Sequence, residues 1–216
     1  MIKRVTAWTT AATVVSVPLA AASTLPASAV SSATAASASA SAAKTISFRG
    51  MRLTVPSKWT AHKSDTIWDL LTVQTRPGCD RKKTGCPYFS IGGPNMIHGS
   101  NDPNWIGERY NPGRAPFHPE TSVMPCRYNR QSDIDDLERF PGGYKGKTVV
   151  SGHRQVGKGH KARYYEWAVE CYDEKKKRVT RKFVQREWYL RKEKIVIVDG
   201  FNTPGLADAI KRATWN

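Results

Sequence analysis

Apolar and polar residues alternate over Ile46-Ser47-Phe48-Arg49 and again from Met51 to Val55, with Gly50 between the two runs and Pro56 after them. A period of two marks a half-buried strand, so this segment predicts a β-hairpin or a bent strand. Thr66 to Thr75 (TIWDLLTVQT) and Tyr88 to Ile91 predict two more strands. The pattern then breaks down. From Gly92 to Arg130 the chain is punctuated by Pro94, Pro103, Pro112, Pro116, Pro119 and Pro125. So long a stretch without a period inside a compact domain is usually functional or mobile.

Periodicity returns after Ser132. Ser132 or Asp133 can cap a short helix, DIDDLERF, with Ile134 and Leu137 on one face and Gly142-Gly143 at its end. Lys147 to Val156 reads as a strand, and Gly157-Lys158-Gly159 as its turn. The strand signal is clearest over Ala162 to Tyr172, where Tyr165, Trp167, Val169 and Cys171 point one way and Glu166, Ala168 and Glu170 the other. Arg181 to Leu190 and Lys194 to Val198 follow, completing a four-strand antiparallel meander. The last element predicted is a helix. Thr203 is placed as its N-cap and Pro204 at its first position. Leu206, Ala209, Ile210 and Ala213 form its apolar stripe. Strands in runs with helices at the flanks predict an α+β domain, an antiparallel sheet with helices packed on it.

The first 43 residues belong to a different class. Lys3 and Arg4 are the only charges before Lys44; an apolar and small-residue run follows to Ala22, and Leu25-Pro26-Ala27-Ser28-Ala29 ends it. A basic start, an apolar centre and an Ala-x-Ala site make residues 1–29 a signal peptide, with cleavage after Ala29. The threonines, Ser16 and Pro18 within the run argue against a membrane span, which needs about 20 mostly apolar residues. Residues 30–43, VSSATAASASASAA, are a Ser/Ala-rich linker too poor in apolar groups to offset its ordering entropy. Residues 44–216 are long enough for one domain with its own core. The expected product is a secreted, extracellular protein.

Secretion changes the meaning of the cysteines. Cys79, Cys86, Cys126 and Cys171 are four in number, and an even count in an exported chain implies two disulfides. Three connectivities exist; Cys79–Cys86 with Cys126–Cys171 is favoured, because Gly78 and Gly85 permit a tight loop around the first pair. A zinc site is not expected, for want of a Cys-x-x-Cys pair or histidines at ligand spacing. Charge is the other strong bias. The net charge is +16; without Lys3 and Arg4 it is 32 basic against 18 acidic residues, or +14. A field of this sign attracts anionic polymers and surfaces.

The opening ISFRGMRLTVPSKW resembles the start of the PsbP/Mog-type fold, where a short hairpin carries a Val-Pro-x-x-Trp-like turn. The close is similar too: a last strand, the Phe201-x-x-Pro204 turn, and a helix finishing at Trp215. With the CPYF and REWYL strands, the chain resembles a group of uncharacterised secreted proteins of high-GC Gram-positive bacteria. The cysteine-bearing insert from about 76 to 130 departs from that pattern. The resemblance implies an architecture but no reaction, since that fold class includes many non-catalytic binding and assembly proteins.

The residues offer little catalytic chemistry. Gly152-His-Arg-Gln-Val-Gly157-Lys158-Gly159 approaches a phosphate-binding loop but carries Gly159 where a magnesium-binding Ser or Thr is needed, and it precedes a strand. It reads as a hairpin turn. His98, Ser100 and Asp102 are too close in sequence to converge as a triad, and no Gly-x-Ser-x-Gly elbow exists. Glu166 and Glu170 lie ~13 Å apart along a strand, too far for a glycosidase pair. The acidic cluster Asp133, Asp135, Asp136, Glu138 misses EF-hand spacing. No metal or cofactor is therefore expected. The basic cluster Lys175, Lys176, Lys177, Arg178, Arg181 and Lys182 sits at a predicted hairpin tip. Arg186, Arg191, Lys192 and Lys194 follow it, interleaved with Tyr164, Tyr172, Trp188 and Tyr189. Basic groups with aromatics can hold a wall polymer, a glycan or single-stranded nucleic acid. The reading is a secreted, non-catalytic binding protein with an anionic partner. The alternatives are an extracellular hydrolase and a protease inhibitor or toxin-like factor that presents the Cys79–Cys86 loop.

Overall fold

The computed structural model describes residues 42–63, 69–79, 86–98, 110–117, 144–173 and 177–216, all within the unit Ala40–Asn216. The expected signal peptide, the expected linker up to residue 41, the predicted helix at Asp133–Phe140, and Cys126 lie outside them.

Among the described residues two antiparallel sheets make the architecture. The larger has seven strands. β3 (Thr60–Lys63), β4 (Leu70–Gln74) and β5 (Tyr88–Gly92) form one meander. β6 (Tyr144–Gln155), β7 (Lys161–Asp173), β8 (Arg178–Leu190) and β9 (Ile195–Asp199) form a second. The second is the meander expected from the sequence. Pairing of β5 with β9 joins the two into the order β3-β4-β5-β9-β8-β7-β6. The smaller sheet holds β1 (Ala43–Phe48), β2 (Met51–Pro56) and the two-residue β10 (Thr214–Trp215). The β1–β2 hairpin is the predicted one. Its turn, Arg49-Gly50, has φ of 50° and 84°, the left-handed pair that a two-residue hairpin loop requires.

The predicted α+β class is overturned: the fold is mainly β. Among the described residues there are two helices, α1 (Pro94–His98) and α2 (Leu206–Lys211), five and six residues long, and the layer opposite the large sheet is built largely by a second sheet. The apolar stripe at Leu206, Ala209, Ile210 and Ala213 does enter the core. Local geometry limits the helix length. Gly205 sits left-handed at φ 76° where the helix starts, and β10 begins at Thr214. Thr203 and Pro204 therefore do not cap α2. The Thr203 hydroxyl instead donates to Asp199 Oδ1 (3.1 Å), and its N–H donates to Asp199 Oδ2 (2.9 Å).

Both faces of the large sheet are buried near β9. On the first face Ile195, Ile197, Trp188, Leu190, Tyr164, Phe89 and Ile91 share a core with Met51, Leu53 and Val55 of the small sheet and with α2. On the second face Val196 and Val198 pack with Met96 of α1 and with Phe117. Segment 110–117 lies close on this face: a Cβ on Gly113 (φ 86°) would stand 2.8 Å from the Tyr165 ring, and one on Gly146 would stand 2.4 Å from Pro116. These described pieces of the proline-rich stretch are thus a cover for the sheet.

Two cysteine expectations fall on described residues. Cys79 and Cys86 are bonded and close the β4–β5 connection. Cys171 is also disulfide-bonded.

Where β9 ends, the buried carboxylate of Asp199 gathers the turn that follows. It pairs with Arg186 Nη2 at 2.5 Å and accepts from Phe201 N at 2.9 Å besides the two bonds from Thr203. Arg186 Nη2 also donates to the Thr203 carbonyl at 3.0 Å. Asp199→Ala leaves a half-buried guanidinium and two turn N–H groups without their acceptor, and is expected to cost about 3–5 kcal/mol. Thr203→Val removes one hydroxyl donor and should cost about 1 kcal/mol. Urea denaturation of both variants checks the ranking; a larger loss in Thr203→Val would contradict it.

Candidate functional site: the basic outer face of the β6–β7–β8 ribbon

Strands β6, β7 and β8 run 12, 13 and 13 residues, whereas β9 has five. The register of β8 on β9 starts at Arg186↔Asp199 and ends at Leu190↔Ile195. Residues 178–185 of β8 therefore extend past β9, and the outer half of the ribbon projects beyond the first core. Its second face still buries Tyr165, Trp167 and Val169 with Phe183 beside them. Its first face is open to solvent, and there Val184 is 39% exposed.

Register places one row of three side chains across this open face: Lys145 of β6, Glu170 of β7 and Lys182 of β8. The Lys182 ammonium is 2.5 Å from Glu170 Oε1, and the Tyr172 hydroxyl donates to Glu170 Oε2 at 2.8 Å. Lys145 Nζ lies 5.0 Å from the centre of the Tyr172 ring. Lys147, opposite Ala168, extends the row inward and is exposed. At the tip, exposed Lys177 takes φ 47° and Arg178 opens β8. The hydrogen bonds from Lys182 and Tyr172 hold the Glu170 carboxyl below the usual range. The same carboxylate raises Lys182 and Tyr172. One acid is thus shared among cations and a phenol, and the face stays net positive.

The fold divides the basic residues that the sequence runs together. Lys177, Arg178, Arg181 and Lys182 share the outer end of the ribbon; Lys175 and Lys176 lie outside the described residues. Arg191, Lys192 and Lys194 form the β8–β9 turn at the opposite end of β8, roughly 40 Å away at ~3.3 Å per residue, beside the β6–β7 turn with Lys158. Arg186 belongs to neither group, being bound to Asp199. The interleaved aromatics also disperse. Tyr164 and Trp188 are buried in the first core, and Tyr189 packs against Tyr110 on the second face. Among the four aromatics of the sequence reading, Tyr172 alone stands on the basic face. Lys145 and Lys147 are the residues that sequence reasoning missed: they lie some thirty positions upstream, and only the β6–β7 pairing brings them in.

The glycine-rich motif is a turn. Gly157 (φ 70°) lies so close to the C-terminal segment that a Cβ would stand 2.1 Å from the Ala213 carbonyl oxygen, and its N–H donates to Lys211 O at 3.2 Å. Nearby, His160 stacks on Trp215 at 4.0 Å, with Nδ1 2.6 Å from Glu193. Glu166 is taken by the Tyr164 hydroxyl and Glu170 by Lys182, so the two acids of β7 serve separate partners.

No protein-family model and no curated protein matches the chain. Among solved structures the chain is similar to cyanobacterial PsbP (CyanoP) from Synechocystis sp. PCC 6803, at 11% sequence identity and a TM-score of 0.41, over 83% of this chain and 96% of that one. At this distance the likeness carries nothing about activity.

The sharing of Glu170 is open to a direct check. In a carbon-detected pH titration its carboxyl should titrate below an ordinary glutamate. Lys182→Ala should move that midpoint up, because the largest cause of the shift is removed. An unchanged midpoint would place the cause elsewhere.

Proposed function

We propose that this protein is exported and acts without catalysis, holding an anionic extracellular polymer, such as a cell-wall polyanion, on the open face of the β6–β7–β8 ribbon. One observation carries the reading: Lys145, Lys147 and Lys182 come from strands distant in sequence yet share one solvent-facing surface with Tyr172, next to the tip that holds Lys177 and Arg178. Exposed ammonium groups on adjoining strands neutralise a linear polyanion without requiring a pocket. Among the described residues Tyr172 alone gives no row of stacking platforms there, so the surface favours an anionic backbone over the bases of a single-stranded nucleic acid. Export is supported by the basic–apolar–Ala-x-Ala opening and by the closed Cys79–Cys86 bridge. Among the described residues no helix is long and apolar enough to cross a membrane.

The test titrates the chain against wall teichoic polymer, heparin and single-stranded DNA at several salt concentrations. Affinity should fall log-linearly with salt as counterions are released. The triple change Lys145→Glu, Lys147→Glu, Lys182→Glu should abolish binding while the chain stays folded, with a modest fall in melting temperature because acids then stand on both sides of Glu170. The control, Arg191→Glu, Lys192→Glu and Lys194→Glu at the far end, should weaken binding far less. Equal losses in the two triples would mean a generic cationic surface, and absence of binding at low salt would remove the proposal.

A further inference from the structure

On the second face of the large sheet a carboxylate is buried without a cation among the described residues. Glu187 of β8 is 0% exposed and lies between Tyr165 of β7 and Val198 of β9 in the sheet register. Both of its oxygens are spent on segment 110–117. The Phe117 N–H donates to Oε1 at 2.5 Å, and the Tyr110 hydroxyl donates to Oε2 at 2.7 Å. Two positions along the same strand, Gln185 is 2% exposed, and its Nε2 donates to the Phe117 carbonyl at 2.8 Å. Two side chains of one strand therefore grip both backbone groups of Phe117. Tyr110 braces the grip, edge-on to Phe117 at 4.8 Å and to Tyr189 at 5.6 Å.

Among the described residues the surroundings supply no compensating charge. From β7, Tyr165 and Trp167 face this region; from β8, Gln185 and Tyr189; from the cover, Tyr110; from β9 and β5, Val198 and Ser90. Arg163 lies over the Tyr165 ring and is exposed, Arg114 of the cover is exposed, and neither makes a salt bridge to Glu187. Near the grip, Trp167 Nε1 and Gln185 Oε1, on directly opposed residues, are buried and complete no hydrogen bond of good geometry.

We infer that segment 110–117 is a pH-dependent cover, docked most firmly when Glu187 is protonated and loosened as that carboxyl ionises. Burial, only partly offset by Tyr110, Phe117 and Trp167, pushes Glu187 from 4.5 up to about 7. When the cover lifts, the carboxyl is hydrated and returns toward the ordinary range. The docked state thus binds the proton more tightly than the lifted state, so docking weakens as pH rises from about 4.5 and stays constant above about 7. Lifting uncovers Glu187, Gln185 and the Trp167 N–H beside the rings of Tyr165 and Tyr189, a floor of polar and aromatic groups. The device is independent of polymer binding on the opposite face.

Amide exchange of Phe117, corrected for the intrinsic pH dependence of exchange, reads the docking equilibrium. Its protection should fall by up to roughly tenfold per pH unit between about 5 and 7 and level off above. Glu187→Gln should flatten the profile while the chain stays folded. If that variant does not fold, Tyr110→Phe serves: it removes a donor that lowers the Glu187 pKa, so the levelling point should move to higher pH. Flat protection in the wild type overturns the inference. So does a slope unchanged in Glu187→Gln, or a levelling point unmoved in Tyr110→Phe.

Discussion

Strand β9 is the constraint on which the rest depends. Its residues Ile195 to Val198 are apolar, all five positions of the strand are buried, and it pairs with β5 on one side and β8 on the other. A strand buried on both faces contributes about 1.5–3 kcal/mol for each large apolar side chain, but only if both faces are covered. Ile195 and Ile197 therefore require the small sheet and α2; Val196 and Val198 require α1 and the segment at Phe117. The two covers come from opposite ends of the sequence and from its least regular stretch. One five-residue strand thus sets where hairpin, terminal helix and proline-rich cover must lie.

The shortness of β9 also decides where charge is allowed. Beyond Arg186, strand β8 pairs with no described residue on its β9 side, so among the described residues the outer ribbon presents two edges: β6 along one side and the first half of β8 along the other. Exposed edges invite pairing with other chains, and lysine and arginine deter it. Lys145 and Lys147 stand on one edge, and Arg178, Arg181 and Lys182 on the other. Edge protection and the proposed hold on a polyanion draw on the same placement. A ribbon that carries cations to stay unpaired has, by the same residues, the positive surface on which that proposal rests.

Legibility in the sequence followed periodicity. The hairpin of β1 and β2, the four-strand meander and the apolar stripe of α2 all have a clean period, and each could be read directly. The fold class could not, because the second layer depends on β10 pairing with β2, a two-residue contact between the ends of the domain. Thr203 shows how a local rule loses to a tertiary one: a Thr-Pro before an apolar stripe has the composition of a helix start, yet its hydroxyl and N–H are taken by Asp199. Glu187 was hidden for a related reason. In Gln185-Arg186-Glu187-Trp188 the polar residues read as a wet strand, and only the facing residues Tyr165 and Trp167 mark that side as buried. The basic face was half legible: the run at Lys177–Lys182 is local, whereas Lys145 and Lys147 join it only through register.

Arg186 and Glu187, adjacent on β8, show the two ways this sheet accommodates a buried carboxylate. Arg186 turns to the first face, where Asp199 has a guanidinium and the donors of its own turn; charge is neutralised within the group, and the cluster acts as a fixed joint between β9 and α2. Glu187 turns to the second face, where its hydrogen-bond donors among the described residues are neutral: the Tyr110 phenol and the Phe117 N–H, both carried on a segment outside the sheet, with the Trp167 N–H close by. Neutral donors stabilise a carboxylate but do not repay the loss of water around an unpaired charge. The remaining way to relieve that cost is to take up a proton. The same strand therefore builds a pair that is closed on itself and an acid whose charge state is coupled to the seating of a cover. Among the described residues, what separates them is one cation, Arg186, which the alternation of side chains along β8 delivers to the first face and not to the second.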